Sequence, residues 1–118
     1  MKKLFTLSLV LLALVIGSKA QNPNINIDPA TIDLQVEASG YGDANSTVYN
    51  TTNGTRTFRW IRTVQGAPSA WTTTVCDKNN CYSTSTSSQE FVLDGGASGL
   101  LRLKVNPNDA LGEATYQV

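Results

Sequence analysis

Thr57-Phe58-Arg59-Trp60-Ile61-Arg62-Thr63 is the stretch whose reading decides the fold. It is built from β-branched and aromatic residues, and its alternation puts Phe58 and Trp60 on one face, with Arg59 and Thr63 on the other. That pattern describes a strand with one face against a core. Ile61 sits between the two polar residues, so that face meets water unless it is also partly covered. A helix would need apolar residues at a sustained spacing of about 3.6, and no such run occurs from Gln21 onward.

Upstream, Asn53-Gly54 is a two-residue hairpin signal, preceded by a short strand, 46–50, around Val48 and Tyr49. Gly40, Gly42, Asp43 and Asn45 form a turn cluster before it. Ile32, Leu34, Val36 and Ala38 alternate with Thr31, Asp33, Gln35 and Glu37, which predicts another half-buried strand. Ile25 and Ile27 fit an edge strand ending at Asp28-Pro29. Downstream, a loop with Gly66 and Pro68 leads to Trp71, Thr73 and Val75 on one strand face. The serine- and threonine-rich run 83–89 reads as an exposed connection or polar edge. Phe91 and Leu93, then Leu101, Leu103 and Val105, then Ala114, Tyr116 and Val118 give three more strands, separated by turns at 94–99 and 106–112.

About seven to eight short strands, with turn signals roughly every eight to twelve residues, predict an all-β, immunoglobulin-like antiparallel sandwich. The expected core is Ile32, Leu34, Val36, Val48, Phe58, Trp60, Trp71, Val75, Phe91, Leu93, Leu101, Leu103, Val105 and Tyr116.

Lys2 and Lys3 precede an apolar run from Leu4 to Ile16, closed by Gly17, Ser18, Lys19 and Ala20. The run is shorter than the roughly 20 residues of a membrane span, and its small residues suit a signal peptidase. The expected organisation is a signal peptide over 1–20, an N-terminal segment or edge strand over 21–30, and the sandwich over 31–118. Localisation follows as secreted, periplasmic or cell-surface, with no membrane span after cleavage. The whole chain carries nine basic and nine acidic residues. Loss of Lys2, Lys3 and Lys19 leaves six cations against the nine acids, a net charge of −3. The six are scattered, so no basic surface suited to nucleic acid is expected.

Export makes the two cysteines, Cys76 and Cys81, a predicted disulfide closing a short turn. Absence of histidine from the 118 residues excludes Ser-His-Asp and Cys-His nucleophiles and imidazole zinc sites. Carboxylate pairs could still run glycoside hydrolysis. Asp28, Asp43, Asp94 and Asp109, however, stand beside Gly, Pro or Asn in expected turns, where an aspartate caps local amides. Asp77, inside the cysteine turn, is the carboxylate with the best prospect of holding a calcium ion, although no EF-hand spacing surrounds it. Cofactors are expected to be none. Trp71 and Tyr82 are the candidate aromatic contacts for a ligand, and Arg59 and Arg62 are expected to form surface ion pairs. Asn45, Asn50 and Asn53 each match the N-glycosylation pattern and mark an expected exposed loop.

The order Phe58 to Arg62, Pro68 to Trp71, Val75-Cys76-Asp77-Lys78-Asn79-Asn80-Cys81-Tyr82 and Leu93 to Gly99 resembles the immunoglobulin-like modules, in the style of ASH and major-sperm-protein sandwiches, of secreted Bacteroidetes proteins. The resemblance covers roughly residues 30–118 and implies an accessory unit beside a sorting domain for type IX secretion. It also implies further residues pairing after Glu113 to Val118. The function expected is a non-catalytic spacer, adhesion or protein-interaction module. The alternatives are a carbohydrate-binding module using an exposed aromatic, or an accessory domain of a longer secreted enzyme. Partners are accordingly protein or cell-surface glycan.

Overall fold

The computed structural model describes residues 24–118, so the expected signal peptide lies outside the described residues. Eight strands follow in order: β1 Ile25–Asp28, β2 Gly42–Asn50, β3 Arg56–Ile61, β4 Thr63–Gln65, β5 Thr72–Cys76, β6 Ser88–Leu93, β7 Ser98–Asn106 and β8 Thr115–Gln117. All ladders are antiparallel. One sheet has the order β1-β2-β7-β5, β3 pairs with β6, and β4 pairs with β8. The chain is all-β, as its alternation predicts, and no helix occurs among the described residues.

Val48, Val75 and Leu101 from the four-stranded sheet meet Trp60, Phe91 and Leu93 from the β3–β6 pair in one buried cluster. Alternation produces this, since residues two apart on each strand share the inward face. Full burial of each such side chain contributes about 1.5–3 kcal/mol. Phe58 and Leu103 pack against the cluster while partly buried, and the rings of Phe58 and Phe91 stand 5.8 Å apart across the β3–β6 ladder.

Four local expectations are corrected. Residues 31–38 form no strand, and Ile32 and Leu34 are exposed rather than core. Pro29, which has no amide N–H, ends the β1–β2 ladder, and the Ser46 hydroxyl donates to its carbonyl instead. The freed segment lays Leu34 and half-buried Val36 over Gly42, where an added Cβ would meet Val36 Cγ2 at 2.4 Å. The expected turn around Gly42, Asp43 and Asn45 is instead the first half of β2, paired with β7 through Gly42↔Val105 and Asp43↔Lys104. Asn53-Gly54 does not close a hairpin, because β2 and β3 belong to different sheets. The expected strand 57–63 is broken at Arg62, whose N–H donates to Ser87 and whose guanidinium donates to the Thr73 and Thr84 carbonyls; it makes no ion pair among the described residues.

Asn50 explains the missing hairpin. Its side chain is buried and donates to the carbonyls of Gly54, Leu93 and Asp94, while its Oδ1 accepts from Thr52. The β2–β3 loop is thereby pinned to the β6–β7 turn, where an added Cβ on Gly95 would lie 2.3 Å from the Asn53 carbonyl oxygen. Asn50 is therefore no exposed glycan acceptor, whereas Asn45 and Asn53 are exposed.

Candidate functional site

The cysteine turn comes first, since it carries most of the expected site residues. β5 delivers Cys76 to its end, and the chain reverses so that Cys81 bonds to it. The N–H of Asp77 donates to Asn80, and that of Tyr82 returns to Val75. Inside this turn Asp77 is buried. Its Oδ1 accepts from the amides of Asn79 and Asn80 and from the Tyr82 hydroxyl, and its Oδ2 accepts from the Trp60 indole at 3.0 Å. A buried carboxylate is tolerated when donors surround it, and both oxygens are engaged here.

The Tyr82 ring lies 5.7 Å from that of Trp60, tilted by 51°, so the turn, its disulfide and the central tryptophan form one unit bridging the sheets. Partial burial, and then the hydrogen bond from its hydroxyl to Asp77 and the charge of that carboxylate, hold the Tyr82 phenol above its ordinary pKa. Trp71 stands apart from this unit. It is half-buried just before β5, and its indole N–H donates to the Ala110 carbonyl at 2.8 Å. The neighbouring Asn108, in a left-handed conformation at φ 50°, donates its side-chain amide to the Ala70 carbonyl. The loop after β7 is thus stitched to the start of β5. No group of three or more metal-ligating residues occurs among the described residues.

A concavity lies elsewhere. A groove of about 330 Å³ opens between β1 of one sheet and β3 of the other, lined by Ile25, Ile27, Phe58, Trp60, Ile61 and Val118 among others. Its volume falls at the lower end of the roughly 300–1,000 Å³ usual for binding clefts. Of the residues expected to bind ligands, Trp71, Asp77 and Tyr82 all lie outside it. Ile61 is 57% exposed at the rim beside Arg59, whose guanidinium pairs with Glu90 on β6. The signal for this groove in the sequence was the apolar Ile61 on an otherwise polar face.

No family model, curated protein or solved structure matches the chain.

Proposed function

We propose that the protein is an exported, non-catalytic module that binds another polypeptide through the groove between β1 and β3. Its setting would be that of the secreted Bacteroidetes sandwiches it resembles, as a spacer or interaction unit accompanying other domains. One observation carries the reading: the groove between β1 and β3 is lined mostly by apolar side chains, while the buried carboxylate of Asp77 is consumed by structural hydrogen bonds. Catalytic sites need titratable groups aimed into a cleft. This groove offers hydrophobic surface and, from Arg59, one cation. The disulfide is compatible with an oxidising compartment.

A photo-crosslinking residue placed at Ile61 in the producing cells tests the proposal, with the same residue at exposed Asn108 as control. Cross-linking to a polypeptide from Ile61 and not from Asn108 is expected. Absence of a polypeptide adduct at Ile61, or hydrolytic activity abolished by changing one carboxylate, would overturn it.

A further inference from the structure

Asn53-Gly54 closes no hairpin, and the fold makes no use of its glycine. Gly54 is not among the glycines with positive φ, and a Cβ added to it would meet nothing within 4 Å. Neither reason for a glycine, left-handed backbone or close approach, applies here. What the pair retains is its chemistry. A glycine after asparagine leaves the main-chain nitrogen unshielded, so that it can close a ring on the side-chain carboxamide, and asparagine is thermolabile for this reason. Asn53 is the one asparagine of the sequence that precedes a glycine. Both residues are exposed, and among the described residues neither the Asn53 carboxamide nor the Gly54 N–H has a hydrogen-bond partner. Asn50, by contrast, is buried with its amide donating to three carbonyls, and Asn45 lies within β2 with its Oδ1 accepting from the Arg102 Nε at 2.6 Å. Asp94-Gly95 could close the same ring, but its carboxylate accepts from the Thr55 hydroxyl. A Cβ on Gly95 would lie 2.3 Å from the Asn53 carbonyl oxygen and 2.8 Å from the Gly54 nitrogen, so that peptide is walled in.

We propose that Asn53-Gly54 is a self-modification site, which converts to aspartate and isoaspartate through a succinimide and thereby loosens the clasp between the β2–β3 loop and the β6–β7 turn. Hydroxide takes the Gly54 amide proton, and the nitrogen attacks Cγ of Asn53. The Cγ–Nδ2 bond breaks, and Nδ2 takes a proton from water and leaves as ammonia. Water then opens the ring at one of its two carbonyls, with no oxidant or cofactor involved. Opening at Cγ restores the ordinary main chain with an aspartate. Opening at the main-chain carbonyl routes the chain through Cγ, which inserts one methylene between residues 53 and 54 and turns the former Asn53 carbonyl into a free carboxylate. That carbonyl stands against Gly95, and the next one, of Gly54, accepts from Asn50 Nδ2 and from the Thr52 hydroxyl. The inserted carbon therefore falls where the clasp has least room. The Gly96 N–H reports on the clasp, since it donates to the carbonyls of Asn50 and Thr52 at 3.1 and 3.0 Å.

The purified protein, held at mildly alkaline pH and sampled over time, is mapped by peptide mass spectrometry, and the isoaspartyl form is separated by chromatography for hydrogen exchange. The mass gain of an amide turned to an acid is expected at Asn53 at least tenfold faster than at Asn45 or Asn50, together with an isoaspartyl fraction. Exchange at Gly96 is expected to be several-fold faster in that fraction than in the unconverted protein. Gly54→Ala supplies the control. Its methyl group points into open space, so the circular dichroism should be unchanged while conversion at Asn53 slows several-fold. An Asn53 that stays intact while a synthetic peptide of residues 50–56 converts would overturn the site. Earlier conversion at Asn45, Asn50 or Asp94-Gly95, or conversion in Gly54→Ala as fast as in the unaltered protein, would overturn it equally. Isoaspartate at 53 with Gly96 exchange unchanged would contradict the loosened clasp.

Discussion

The indole N–H of Trp60, central in β3, donates to Oδ2 of Asp77 at the end of β5 at 3.0 Å, and both residues are buried. This bond joins the two sheets at the point where the disulfide fixes the turn. Removing the carboxylate strands the indole donor and two turn amides, and an unsatisfied buried group costs about 1–3 kcal/mol. Asp77→Ala is therefore expected to lower the unfolding free energy by about 2–3 kcal/mol, measured by urea denaturation at neutral pH. A double-mutant cycle with Trp60→Phe should return a coupling of about 1.5–3 kcal/mol, the range for hydrogen bonds to charged groups.

Asn50 holds the other end of the sandwich. Asn50→Ala removes the donor shared by the carbonyls of Gly54, Leu93 and Asp94, of which Gly54 keeps the Thr52 hydroxyl and Asp94 the Ala97 N–H, and is expected to cost about 1–3 kcal/mol. Asn50→Asp should be worse, because it points a carboxylate at three carbonyl oxygens. Thermal unfolding that ranks alanine above aspartate in stability checks this order.

The Cys76–Cys81 bridge spans a sequence separation of 5. Closing so short a loop stabilises by about 2 kcal/mol on the chain-entropy estimate. The double serine variant is expected to stay folded with that loss, since the Asp77 bonds shape the turn independently. Amide spectra of the variant should retain the dispersion of the unaltered protein.

Alkaline pH should weaken the fold through Tyr82. Its phenol is raised by partial burial first and by Asp77 second, so the folded state holds the proton more tightly than the unfolded chain does. That contribution is complete below the unfolded pKa, about 10, and is lost as pH rises through the higher folded value. Stability is expected to decline above about pH 10. Asp77→Asn should move the Tyr82 titration downward, as followed by NMR of its ring.

The sequence made the central strands legible because a 2-residue period needs no knowledge of partners. Phe58 with Trp60, and Leu101 with Val105, lie inward as their spacing predicts. The same rule failed at Ile32 and Leu34, where alternation is present but Pro29 and the packing over Gly42 take the segment off the ladder. Asn53-Gly54 misled because a turn signal does not say whether its flanking strands share a sheet. Asp77 was visible as a carboxylate in a tight turn. Its donor from Trp60, 17 residues away, depends on how the sheets stack. The groove was only hinted at by Ile61, since the way β1 comes to face β3 depends on how the sheets stack.

Amide hydrogen exchange along β3 in the free protein tests the central claim most directly. The account predicts slow exchange at Phe58, Trp60 and Arg62, which donate toward β6 and Ser87, and fast exchange at Thr57, Arg59 and Ile61. Uniform protection from Thr57 to Arg62 would contradict a β3 paired on one side only among the described residues and, with it, an accessible groove between β1 and β3.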